Sequence, residues 1–82
     1  MSVRSEILDQ FKQVAHELDK RLGPLSDELL LDSGLDSLCF AIIVSRLEIV
    51  LGVDPLSDPD ANFPVDLGEF IRIYENAVRQ LP

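Results

Sequence analysis

The stretch Ser33–Ile43, SGLDSLCFAII, decides how this chain is read. It opens as a tight turn, passes through an acid and a serine, and continues as a helix that is apolar almost all round. Asp36 carries the short carboxylate that accepts from the unpaired N–H groups of a helix's first turn, so it is expected as the N-cap, with Ser37 the first helical residue. The apolar run continues to Leu51, and Gly52 is expected at the left-handed position that ends many helices. Helical spacing assigns Phe40, Ala41, Ile43, Val44, Leu47 and Leu51 to a core face and leaves Leu38, Ile42, Ser45 and Ile49 as a second stripe. A helix in a domain of 82 residues can hardly be buried all round. The second stripe, with Ile42 and Ile49 expected on the Ser37 side of the helix, therefore predicts a surface available to a partner.

Outward from this helix, the flanking segments read as helices too. Toward the N-terminus, Ile7, Leu8, Phe11, Val14, Ala15, Leu18 and Leu22 recur at helical spacing, and Gly23-Pro24 ends the run. A helix over 3–22 is expected. Leu25 to Leu35 holds no sustained period and reads as an ordered loop whose Leu29, Leu30 and Leu31 partly cover a core. Toward the C-terminus, a proline-punctuated stretch leaves room for one short helical turn near 59–62. A final helix over 65–81 presents Leu67, Phe70, Ile71, Tyr74, Ala77, Val78 and Leu81. The expected fold is all-α, a small four-helix bundle of three long helices and one short, forming a single domain over 1–82.

Composition bounds the function. Apolar residues make up 46% of the chain and aromatics 6%, with no tryptophan, which suits a helical core of Leu, Ile and Val. The lone Cys39 cannot form an internal disulfide or a multi-cysteine metal site, and this predicts a reducing, cytoplasmic setting. No apolar run approaches the ~20 residues that span a bilayer, and Met1–Gln10 lacks the pattern of an export signal. The net charge is −8, and between Gly23 and Phe70 ten acids face one base, Arg46. Such a surface repels phosphate backbones and anionic lipid, so neither nucleic acid nor membrane is an expected partner, whereas basic protein surfaces are.

A serine in the first turn of a helix lies where N–H groups lack partners and the dipole is positive, so a phosphodiester on its oxygen is electrostatically favoured. Set in Gly34-Leu35-Asp36-Ser37-Leu38, at the start of the second helix of a short acidic chain, this serine resembles that of the acyl carrier protein family, including peptidyl carriers, whose motif is G-x-D-S-L. The resemblance covers essentially the whole chain. It implies that Ser37 is the attachment point of 4′-phosphopantetheine, delivered from coenzyme A by a phosphopantetheinyl transferase with magnesium, and that Gly34, Asp36 and Leu38 frame it. It further implies a monomeric, free-standing substrate carrier, not an enzyme, holding acyl or aminoacyl groups as thioesters. Its partners would be an acyl or aminoacyl ligase, a synthase or an acyltransferase. Tethering makes each delivery effectively intramolecular once the carrier has docked.

Other chemistry has little support. His16 lies far along the chain from Ser37 beside Glu17 and Asp19 and reads as a solvated helix residue, so no Ser-His-Asp hydrolase is expected. Cys39 lacks a partner base and reads as a small, semi-exposed apolar residue. Asp58, Asp60, Asn62, Asp66 and Glu69 match positions of a calcium-loop register, but Phe63 replaces its sharp-turn glycine and Pro59 and Pro64 intrude. No metal site is expected.

The chain departs from carriers of bacterial fatty acid synthesis, whose second helix usually bears exposed acids. Here the matching positions are largely Cys39, Ile42, Arg46, Ile49 and Val50, with Glu48 the acid retained. The expected docking residues are Leu38, Cys39, Ile42, Ser45, Glu48 and Ile49. A specialised acyl, polyketide, peptide or lipid-modifying pathway is favoured over housekeeping fatty acid synthesis. An unmodified interaction domain of the same fold is the competing reading.

Overall fold

Three side-chain caps set where the helices begin. In the computed structural model, which describes residues 2–82, Ser2 Oγ accepts from the Ser5 N–H at 3.0 Å, Asp36 Oδ1 from Cys39 at 3.0 Å and Asp66 Oδ1 from Glu69 at 2.8 Å. The helices that follow are α1 (Val3–Glu17), α2 (Ser37–Leu51) and α3 (Leu67–Arg79). Asp36 and Gly52 bound α2 as expected, with Gly52 at φ +75° donating to the Glu48 carbonyl. The start of α3 is fixed twice over, because Glu69, three residues past the cap, accepts from the Val65 N–H at 2.9 Å. This is a variant of the capping box, and it moves the helix start from the expected 65 to 67.

Helix α1 is shorter than its periodicity suggests. Asp19 sits in the left-handed region at φ +55°, Lys20 N–H donates to the Ala15 carbonyl and Asp19 N–H to that of His16. That bond pair is a Schellman ending, so the helix stops at Glu17 rather than at Leu22. Leu18 and Leu22 still pack against the core from the outgoing chain, which is why they kept the helical pattern. The short helical turn expected at 59–62 is absent. Instead Pro55 opens a single turn of 3-10 helix at Pro55–Ser57, and Asp58 ties the 59–62 segment into side-chain and backbone turns at Asp60 and Ala61. The architecture is thus three α-helices and one 3-10 turn rather than four helices.

The core lies where α1 packs against both α2 and α3. Ile7, Phe11 and Val14 meet Cys39, Ile43 and Leu47 on one side and Leu67, Phe70, Ile71 and Tyr74 on the other, all fully buried or nearly so. Phe11 stands edge-on to Phe70 at 5.3 Å between ring centroids and to Phe40 at 6.1 Å, linking the three helices through aromatic contacts. The loop from 18 to 36 is pinned by backbone bonds to the start of α3: Leu31 N–H to Val65, Leu67 to Leu29 and Gly68 to Asp27. Leu31 and Leu35 are thereby driven into the core, while Leu30 remains 52% exposed. Among the described residues no β-strand forms, and no helix is long and apolar enough to cross a membrane.

Candidate functional site

Ser37 owes its position to the cap in front of it. Asp36 turns the chain into α2 and takes the Cys39 N–H, so Ser37 emerges as the first helical residue, exposed to solvent. No hydrogen bond among the described residues engages its hydroxyl. The Cys39 N–H, the Cys39 thiol and Lys20, whose ammonium lies 3.3 Å away, together lower the Asp36 carboxyl to about 2. Because folding lowers this pKa from 3.8 to about 2, the contribution to stability is complete above about pH 4 and is lost as pH falls through about 2. Unfolding free energy is accordingly expected to decline between pH 4 and pH 2, with a shallower decline in Asp36→Ala, as read by urea melts across that range. An identical slope in the two proteins would show that the cap carries no charge-dependent stability.

The loop before the cap is shaped by Gly34. Its φ is +120°, and a Cβ there would stand 2.5 Å from the Arg21 carbonyl oxygen. Glycine is therefore required at this step of the motif by sterics, since the 18–22 backbone passes directly against it.

Beside Ser37 opens an apolar groove of about 790 Å³. Its α2 wall is Ser37, Phe40, Ala41 and Val44, residues at helical i, i+3, i+4 and i+7 positions, and the facing wall includes Leu56 and Phe63. Phe63 stands edge-on to Phe40 at 5.2 Å and extends the core's aromatic series to the rim. Phe40 and Val44 are half-buried and Ala41 is exposed, so these residues, expected in the core, line the groove instead. The core seam of α2 is Cys39, Ile43 and Leu47 at intervals of four.

This geometry revises the docking set. Leu38 and Ile49 are 59% and 84% exposed, and Val50, not singled out from the sequence, is 45% exposed. Ser45 and Glu48 are exposed as well, although the Ser45 hydroxyl donates back to the Ala41 carbonyl at 2.8 Å. Ile42 is half-buried against the core. Cys39 is 0% exposed and leaves the set altogether, because the seam centred on Ile43 turns it inward. The Leu38–Ile42–Ile49 stripe also does not share a side with Ser37: at ~100° per residue it falls on the opposite flank of the seam from the groove. Ser37 is accompanied by Phe40, Ala41 and Val44 instead. Arg46, between stripe and seam, forms a two-pronged ion pair with Glu17 at 2.6 and 2.8 Å and fastens α2 to α1.

His16 is exposed on α1 and no bonded partner orients it as a base. Among the described residues no group of three His, Cys, Asp or Glu side chains is placed to hold a metal ion, and Asp66 and Glu69 of the calcium-like register serve as caps of α3. Neither a protein-family model, nor a curated protein, nor a solved structure matches the chain.

Proposed function

We propose that this helical domain is a carrier of the acyl carrier protein type, armed with 4′-phosphopantetheine on Ser37. The observation that carries the reading is Ser37 itself: an exposed hydroxyl, engaged by no described residue, at the capped start of α2 and at the mouth of an apolar groove. The site fits the group. N–H groups of the α2 first turn would face the phosphodiester, and the helix dipole favours its negative charge. In the attachment, the Ser37 oxygen bonds to the β-phosphorus of coenzyme A, the bond to the departing 3′,5′-adenosine diphosphate breaks, and the hydroxyl proton leaves to a base of the transferase. When bound, the arm supplies a terminal thiol that activates an acyl or aminoacyl group as a thioester.

The chain's own contribution is to hold and present. Asp36 fixes the angle of the attachment residue, Gly34 lets the preceding loop lie close to the 18–22 backbone, and the groove shelters apolar material near the tether. The exposed Leu38, Ile49 and Val50 favour an apolar partner surface over the carboxylate readers of fatty acid synthesis, in keeping with a specialised pathway.

Incubation with coenzyme A, magnesium and a broad-specificity phosphopantetheinyl transferase should add one arm to the wild type and none to Ser37→Ala, by intact mass. The variant keeps its helical circular dichroism because Asp36 still caps α2. An unshifted wild-type mass, under conditions that arm a control carrier, would reject the proposal and leave the unmodified interaction domain in its place.

A further inference from the structure

Among the described residues, three buried side-chain polar atoms lack a hydrogen-bond partner: Gln10 Oε1, Asp54 Oδ1 and Tyr74 Oη. Buried polar groups are paired as a rule, because an orphan forfeits its hydration and gains nothing. Of the three, only the phenol has a proton to give, while the amide and carboxylate oxygens accept. Asp54 contributes to the groove wall, but its Oδ1 is buried beneath that wall, out of reach of solvent and of any groove occupant. A donor for it has to come from inside the domain. Tyr74, 0% exposed on α3, carries one, and stacking on Phe70 at 4.9 Å fixes its ring. The 3-10 turn that Asp54 caps packs against α3, and the Tyr74 phenol pKa is raised by burial first and then by the charges of Asp54 and Glu48.

This turn is tethered more loosely than the rest of the chain. Backbone bonds pin the 18–36 loop to the start of α3, whereas those of the Pro55–Ser57 turn stay local: the Ser57 N–H and hydroxyl both donate to the Asp54 carbonyl, at 3.3 and 2.9 Å. Val53 and Leu56 rest on the core by apolar packing, and Leu56 and Ser57 also line the groove. Just upstream, Gly52 at φ +75° has open space around it and supplies a pivot. A bond from a phenol to a carboxylate is charge-assisted, about twice as strong as a neutral one, and would relieve two buried orphans at once.

We propose that Tyr74 and Asp54 form an internal latch: the phenol donates to the Asp54 carboxylate as the Pro55–Ser57 turn settles on α3, and breaking that bond lets the turn swing out and widen the apolar groove. The far wall of the groove is then a strap held by one polar contact from beneath. The latch does not depend on an arm at Ser37, and its failure would leave the carrier reading untouched.

The test uses the unmodified full chain. Tyr74 is the one tyrosine and there is no tryptophan, so intrinsic emission reports this phenol alone. A phenol bonded to a carboxylate emits weakly, because its proton moves toward the acceptor on excitation. Wild-type emission should therefore be low and should rise at least twofold in Asp54→Leu and in the shape-conserving Asp54→Asn, which serves if the leucine variant fails to fold. Glu48→Gln, which removes the other nearby charge, should leave it unchanged, as should Gln10→Leu. Groove opening is read with Nile red, a neutral apolar dye: Tyr74→Phe and Asp54→Asn should each bind it several-fold more tightly than wild type, and the double variant no more tightly than either single one. Emission that ignores Asp54, or that responds to Gln10 instead, would overturn the latch. Dye binding that is unchanged in both single variants, or that adds up in the double variant, would overturn its control of the groove.

Discussion

Phe70→Ala is expected to destabilise the protein by about 3–5 kcal/mol, because a fully buried ring is removed and the surrounding helices can close only part of the void. Phe70 touches Phe11 edge-on at 5.3 Å and stacks on Tyr74 at 4.9 Å, so the loss reaches both α1 and the rest of α3. Small domains hold in total about 5–15 kcal/mol, so this one change removes a large share of the stability. Leu47→Ala, at 0% exposure on the α2 seam, should cost about 2–5 kcal/mol. Leu38→Ala and Ile49→Ala, at 59% and 84% exposure, should stay within about 1 kcal/mol. Urea melts of the four variants check this, and equal losses in the two pairs would disprove the division of α2 into a buried seam and an outward flank.

Gly34→Ala is expected to cost about 3 kcal/mol or more, since backbone strain at a disallowed φ contributes about 1–3 kcal/mol and the displaced backbone adds to it. The added methyl would meet the Arg21 carbonyl oxygen at 2.5 Å, a backbone atom that cannot rotate away. Gly52 supplies the control. It too has positive φ, at +75°, but a Cβ there meets nothing within 4 Å, so Gly52→Ala should cost only about 1 kcal/mol. Asparagine separates the two causes: it tolerates the left-handed region and should largely restore Gly52, whereas at Gly34 its Cβ collides as alanine's does. Chemical denaturation of Gly34→Ala, Gly34→Asn, Gly52→Ala and Gly52→Asn gives the comparison. Matching losses at the two positions would mean that the Arg21 contact does not constrain the loop.

Much of the helical architecture was legible in the sequence because its signals are local. Asp36, Gly52 and the periodic apolar residues act within a few positions of themselves, and α2 begins and ends as they dictate. The D-x-x-E spacing of Asp66 and Glu69 is a local signal of the same kind, and it sets the start of α3 two residues after the expected 65. The early end of α1 was not legible, since it depends on a non-glycine residue, Asp19, taking a left-handed conformation. A pattern of apolar positions also cannot tell a residue inside the core from one lining a groove. Cys39 and Ala41 exchanged expected places for that reason: the three-helix packing rotates α2 so that Cys39, Ile43 and Leu47 face α1. The groove itself needs the 53–65 segment to fold back over Phe40 and Val44, a non-local event with no sequence period. Asp54 therefore went unremarked among ten acids, and its buried, unpaired oxygen becomes visible only in the folded chain.

Intact-mass measurement of protein purified from its native host tests the carrier assignment most directly, because it reads the arm and its cargo together. The expected result is a species heavier than the chain by a phosphopantetheinyl arm, with the added mass mapping to the peptide that contains Ser37 and missing from Ser37→Ala expressed in the same cells. Recovery of the chain at its unmodified mass alone, while a fatty acid synthesis carrier from those cells is armed, would contradict it.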